Sequence, residues 1–411
     1  MIKTICLLIV IILLSTVVGA TFSVPSFFAE EILHSMNKAL EWLEGYMDGL
    51  SDTSFDKYMV MYDILYFLKP PLLSKGTEEI LLWILNYMEK QNTLSIDCLR
   101  HVEYIMEEYD LVDLDPELYE LSLKGVYLTI RDIYKAGFEN IDEDRFYEAG
   151  MDYVLLGYVK ARQVEKHFGL RPHFSRLFED IFKKRLSFMM ENGGSWYPAD
   201  EYGGYAGRNA WTLMRFSDMG MTKEDLPDLG RTVDFLLEMQ DEEHSCWGVP
   251  KKKVPEPKRN GGSACVYMVD GLGEVLYTAC AVSGLLENGI SPIDSRIENA
   301  VYFLLKRQKD DGRWRAIYEP NWPNVFKDYF WYSDSFTTIL VLKALKKYFD
   351  AGGIDIADLS EKENEGVVLK YFKPALDEEG FRKVLKEKFN VLKRKFEKKF
   401  GMFLSGFEKF E

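Results

Sequence analysis

The stretch Phe303-Leu304-Leu305-Lys306-Arg307-Gln308-Lys309-Asp310-Asp311-Gly312-Arg313-Trp314 decides the fold. Its apolar residues before the glutamine sit at helical spacing. Gln308 and the acidic pair can hydrogen-bond a helix end, and Gly312 turns the chain so that the Trp314 indole covers whatever helix follows. One helix ends here and another is about to begin. Two weaker copies lie upstream: Phe235-Leu236-Leu237-Glu238-Met239-Gln240 reaches Trp247 without a glycine, and Phe188-Met189-Met190 reaches Gly194-Ser195-Trp196 without the glutamine. A unit that recurs in this way predicts an array of helix pairs.

The aromatic-Leu-x3-Gln-x3-Gly-x-Trp pattern resembles the QW motif of squalene cyclases and the related repeats of protein prenyltransferase β subunits. That resemblance covers roughly Phe182 to Tyr348. It implies an all-α fold, an α/α toroid of concentric inner and outer helices, with the glutamine-terminated segments in the outer ring. After each tryptophan comes an irregular stretch and then a helix rich in small residues, opening at Asn209-Ala210-Trp211-Thr212, at Tyr277-Thr278-Ala279-Cys280 and at Asp334-Ser335-Phe336-Thr337. Small residues let an inner helix lie close to its neighbours.

The N-terminal half reads as helical, with apolar clusters at Leu40 to Leu43, Met59 to Leu68, Ile80 to Met88 and Leu121 to Ile133, and no sustained strand alternation. The segment Leu81 to Gln91 has the pattern of an outer-ring helix that lacks its Gly-x-Trp. The expected organisation is a signal peptide over 1–20, a divergent helical half of the toroid over 21–165, the repeat region over 166–350, and a linker with a basic amphipathic helical tail over 351–411. A separate N-terminal helical domain ending near Gly169 to Pro172 is the alternative.

At 411 residues with 47% hydrophobic and 14% aromatic content, the chain can bury a large core. Lys3, the apolar run from Ile5 to Val18 and Gly19-Ala20 have the order of a secretory leader cleaved after Ala20. The expected location is secreted or extracytoplasmic, with an uncleaved N-terminal anchor as the alternative. Four cysteines follow the leader, and Cys246 and Cys265, which flank one loop, are the readiest pair. His244-Ser245-Cys246 has no second pair at zinc spacing, so no metal and no cofactor is expected.

The net charge of -15 argues against a nucleic-acid partner. From Phe381 onward, ten Lys or Arg against four Glu give +6, which leaves -21 on the preceding 380 residues. That segment carries Phe381, Leu385, Phe389, Leu392, Phe396 and Phe400 at spacings of three and four, the stripe of an amphipathic helix. Docking on the acidic body is the expected use of that stripe; peripheral membrane contact and a protein partner are the alternatives. Between Val249 and Gly262, three prolines and five basic residues exclude a helix.

In such a toroid the loops leading into inner helices line the central cavity, which makes them the place to look for a site. They supply the candidate catalytic carboxylates Asp200, Asp270, Asp328 and Asp334 and the candidate ligand-binding residues Trp196, Tyr202, Tyr267, Glu274, Trp322 and Trp331. Carboxylates among aromatics suit acid and base work on a glycosidic bond, or protonation of an alkene with aromatic faces stabilising the cation. Asp200, Asp270 and Asp334 can equally be helix caps.

The catalytic signatures of the resembled families are missing. The nearest match to the Asp-Cys-Thr-Ala-Glu run of squalene cyclases, Tyr277-Thr278-Ala279-Cys280, has no acid, and Asp142-Glu143-Asp144-Arg145 lacks the last acid of Asp-x-Asp-Asp. Val269-Asp270-Gly271-Leu272 is similar to the prenyltransferase Val-Asp-Gly-Cys, but Leu272 stands where that family's zinc thiolate would be. The leading expectation is therefore an exported toroid that binds an isoprenoid or saccharide in an acidic aromatic cavity. A carbohydrate-active hydrolase or lyase and a protein-binding scaffold stay open beside it, and the oligomeric state is not legible.

Overall fold

The computed structural model describes residues 26–91, 95–139, 151–197, 205–241, 245–247, 274–315, 333–354, 356, 366–374 and 377–404. Regular structure there is helical, apart from isolated bridges between Ser74 and Pro374 and between Asp241 and Cys246. In chain order the helices are α1 (Ser26–Asp48), α2 (Phe55–Asp63), α3 (Lys75–Lys90), α4 (Asp97–Glu108), α5 (Pro116–Gly137), α6 (Met151–Phe168) and α7 (Phe174–Glu191). There follow α8 (Tyr205–Asp218), α9 (Leu229–Glu238), α10 (Glu274–Glu287), α11 (Ser295–Arg307), α12 (Asp334–Ala351), the short α13 (Val367–Phe372) and α14 (Glu378–Leu404).

Local chemistry starts these helices. Ser54, Ser74, Asp115, Asp294 and Ser333 accept backbone N–H bonds at the starts of α2, α3, α5, α11 and α12, and α5 also has proline in its first turn. Helix α2 runs on into a π turn at Ile64–Leu68, which Lys69 ends in the left-handed region at φ 44°.

From α1 to α12, odd-numbered helices lie outside and even-numbered ones inside. The burial pattern follows from this position. Residues 335–345 of α12 are buried on all sides, as is most of α10, whereas α11 buries one stripe formed by Ile297, Ala300, Val301, Leu304 and Leu305. The inner helices α8, α10 and α12 pack side by side, and α12 packs on α2 and its π turn. Tyr104 of α4 donates to the Tyr66 carbonyl at 3.3 Å, Lys160 of α6 bridges Glu103 and Glu107 of α4 at 2.6 Å each, and α6 reaches α8. The inner layer thus closes on itself, and the protein is an all-α toroid. Gly284 of α10 shows how tightly: a Cβ there would stand 3.0 Å from the Met214 backbone nitrogen of α8.

The turns at the three tryptophans share one geometry. The backbone N–H groups of Trp196, Trp247 and Trp314 donate to Asn209, Thr278 and Thr338 at 2.8, 3.0 and 3.0 Å, and each acceptor is the fifth residue of the inner helix that follows. The indole N–H of Trp247 and Trp314 donates to the carbonyls of Leu236 and Leu304, both at 2.7 Å, which ties the turn to the outer helix before it. Gln240 donates to the Arg296 carbonyl of α11, and Gln308 to the Ser35 carbonyl of α1. Each glutamine therefore joins its turn to the next outer helix, and Gln308 joins the last to the first. Gly312, at φ 97°, has no room for a Cβ against the Lys38 carbonyl of α1.

The N-terminal half takes its places in the same ring. The expected outer segment from Leu81 is α3, and Gly169 to Pro172 is the turn between inner α6 and outer α7, with Gly169 at φ 66°. The tail helix α14 lies across α3 and α5, where Phe381, Leu385, Phe389, Leu392 and Phe396 are buried. Lys388 pairs with Glu89 at 3.2 Å and Lys393 with Asp115 and Glu117 at 3.3 and 2.9 Å. The apolar stripe of the tail is thus covered by the chain's own ring. Among the described residues no helix is long and apolar enough to cross a membrane.

Candidate functional site

A cleft of about 550 Å³ opens at the end of the ring where inner helices begin, lined by Trp42, Gly45, Tyr46, Arg313, Ser333, Asp334 and Ser335. It joins the last two turns of α1 to the start of α12, residues nearly the whole ring apart in sequence. Trp42 and Tyr46 stack on each other, with centroids 5.4 Å apart and planes 17° from parallel, because an i,i+4 pair shares one helix face. Arg313 covers Trp42 with its guanidinium carbon 6.0 Å from the ring, and pairs with Asp334 at 3.2 Å and Asp311 at 3.2 Å. Burial, with the nearby Asp56 carboxylate, raises the Tyr46 hydroxyl above its ordinary pKa, so it stays a neutral donor. Ser333 and Ser335 share a 2.9 Å hydroxyl contact beside it. A short aromatic platform therefore faces a patch of hydroxyls and a paired guanidinium and carboxylate.

Deeper in the ring, described side chains of several inner helices meet one another. Arg215 of α8 reaches Asp152 of α6 at 3.5 Å and Asp218 at 3.1 Å, with its guanidinium carbon 5.0 Å from the Tyr66 ring centroid. Lys343 of α12 pairs with the same Asp218, and Trp211 donates to Asp152 at 2.8 Å. Phe336 of α12 touches both Trp211 and Phe67, which joins α12 to α8 and to the π turn. Burial pushes the Asp63 carboxyl well above its usual range against the opposing pull of Arg215, and pushes Lys343 down against the pull of Asp218. On the α4 side, Tyr58 bonds His101 Nδ1 at 2.5 Å, and burial holds His101 well below its usual pKa, hence neutral. Side chains from α2, α4, α6, α8 and α12 thus meet inside the ring through ion pairs and aromatic contacts, while most of the loops expected to line a central cavity, 198–204, 248–273 and 316–332, lie outside the described residues.

Of the residues singled out in the sequence, Asp334 lines the cleft. Trp196 does not stand in a cavity wall: it is fully buried between α7, α8 and α9, stacked near Phe182 and Phe216, with its indole N–H donated to Thr232 at 2.9 Å. Its spacing made it a turn residue, and the turn needs it as core. Asp200, Tyr202, Tyr267, Asp270, Trp322, Asp328 and Trp331 lie outside the described residues, as do the side chain of Glu274, Cys265 and the leader. The Cys246 to Cys265 pairing therefore also falls outside them, and Cys246 itself is buried. Sequence reasoning missed Trp42, Tyr46 and Arg313. A signal existed for the first two, an i,i+4 aromatic pair beside a helical glycine; Arg313 is the variable residue of the Gly-x-Trp turn. It also missed the interior ions, although Arg215 and Asp218 are charged residues on a helix expected to lie in the inner ring.

No protein-family model matches the chain, and no curated protein matches it. Among solved structures, the chain is similar to a type II terpene cyclase from Scytonema in complex with its substrate geranylgeranyl dihydroxybenzoate, with 13% identity and a TM-score of 0.43 over 79% of this chain and 99% of that one. A likeness that distant carries no argument about site or substrate, and the toroid stands on its own helix packing.

Proposed function

We propose that the protein is an exported toroid that binds a saccharide at the cleft between α1 and α12. The observation that carries this reading is the stacked Trp42 and Tyr46 pair set against Arg313, Ser333, Asp334 and Ser335. Aromatic faces suit the C–H face of a pyranose, while hydroxyls and a charged pair suit its rim. Four of the seven lining residues are polar, and their hydroxyl, guanidinium and carboxylate groups offer a sugar rim donors and acceptors that an isoprenoid chain could not use. In this reading the Trp196, Trp247 and Trp314 turns are squalene-cyclase-type repeats kept for architecture, and the chain is not a cyclase. Asp334, held by Arg313, serves as a rim acceptor.

Isothermal titration of the chain from residue 21 onward with maltotriose, cellotriose and chitotriose tests the reading, with geranylgeraniol in detergent as the comparison. Binding of a trisaccharide that weakens at least tenfold in Trp42→Ala is expected. Binding of geranylgeraniol alone would overturn it. Release of mono- or disaccharides during the titration would show that the cleft is hydrolytic.

A further inference from the structure

Gly45 sits in the last turns of α1 between Trp42 and Tyr46, and it lines the cleft. Nothing in the fold asks for glycine there. Its φ is not positive, and a Cβ built on it meets no atom within 4 Å. Some helical glycines are held by neighbours: a Cβ at Gly125 would stand 2.6 Å from Leu99, and one at Gly157 would run into the Phe178 ring. Gly137, Gly230 and Gly401 are as open as Gly45, but of these four Gly45 is the one that lines the cleft. Glycine inside a helix is less favourable than alanine by about 1 kcal/mol, so an open helical site with no packing reason is better filled by alanine for stability alone.

Resting on the saccharide reading of this cleft, we infer that Gly45 is its specificity-determining floor: the bare backbone lets a pyranose ring lie against α1 beside the Tyr46 face, within reach of the hydroxyls at the start of α12. A side chain at 45 would project into the open space the sugar occupies. Position 45 then sets which ring substituents pass, with bulky equatorial groups such as N-acetyl excluded first as the side chain grows. Fold stability and ligand binding make opposite demands on this residue, and that opposition is what distinguishes a binding role from a structural one.

The experiment measures melting and trisaccharide affinity together for the wild-type chain, Gly45→Ala, Gly45→Leu and Gly230→Ala. Gly230 is another open helical site, near the start of α9 and not in the cleft lining. Gly45→Ala is expected to raise the melting temperature and weaken the best trisaccharide by about fivefold, and Gly45→Leu to weaken it by at least about thirtyfold while still folded. Gly230→Ala should change affinity by less than twofold. If the wild-type chain binds a trisaccharide and Gly45→Leu binds it as tightly, the floor assignment is wrong and the cleft reading survives. If the wild-type chain binds none of the three sugars, both are wrong.

Discussion

Gln308, at the end of α11, donates its side-chain amide to the carbonyl of Ser35 on α1 at 2.8 Å, across 273 residues of sequence, and accepts from the Ser35 hydroxyl at 2.5 Å. A third bond to the Gly312 carbonyl at 2.7 Å ties the same amide to its own turn. One side chain therefore fixes the turn and joins the last outer helix to the first. Gln308→Ala should lower stability by about 1 to 3 kcal/mol through unpaired part-buried groups, and Trp314→Ala by about 3 to 5 kcal/mol through the emptied core site. Urea titrations followed by circular dichroism would read both, and an unchanged midpoint for either variant would contradict the assignment.

The ion pair of Lys343 with Asp218 lies inside the ring, with side-chain exposures of 4% and 8%. Removing one partner leaves a buried charge, so Lys343→Met should cost about 3 kcal/mol or more. Adding Asp218→Asn should restore part of that loss. A double variant less stable than the single one would show that Asp218 is held chiefly by Arg215.

Burial pushes Glu103 from 4.5 up to about 7, with Lys160 opposing and Glu107 reinforcing the rise. The folded chain therefore keeps a proton between those values that the unfolded chain has lost. Its contribution is full below pH 4.5 and is lost as pH rises to about 7, so stability should fall across that window. Glu107, whose pKa is lowered, acts in the opposite direction at lower pH. In Glu103→Gln the decline between pH 5 and 7 should flatten. Denaturation midpoints measured at pH 5, 6, 7 and 8 check this, and parallel curves for both proteins would refute it.

Phe389 and Phe396 of α14 are fully buried where that helix packs on α3 and α5, so deleting residues 378–411 should uncover an apolar strip on those two helices. The truncated chain should bind a hydrophobic dye and melt lower, while the full chain should not sediment with phosphatidylserine vesicles. Sedimentation of the full chain, lost on truncation, would show that α14 leaves the ring for a membrane.

Local chemistry determined much of this molecule in advance. The Gln, Gly and Trp of 308 to 314 mark a helix end and a covered turn, the small residues of α10 and α12 mark inner helices, and the spacing from Phe381 to Phe396 marks a one-sided tail helix. These signals are legible because each depends on residues within a turn or two of one another. The tail's partner face, the ion pairs inside the ring and the cleft are not local. Trp42 meets Arg313, and Asp218 meets Lys343, only because the ring closes and brings segments far apart in sequence side by side. Closure also decides that Trp196 is core, since a tryptophan after a turn can face either a cavity or the neighbouring helix until α9 is in place. The sequence by itself therefore determined the helices and their turns, while tertiary structure alone decided which polar side chains share a buried interior and which share an open cleft.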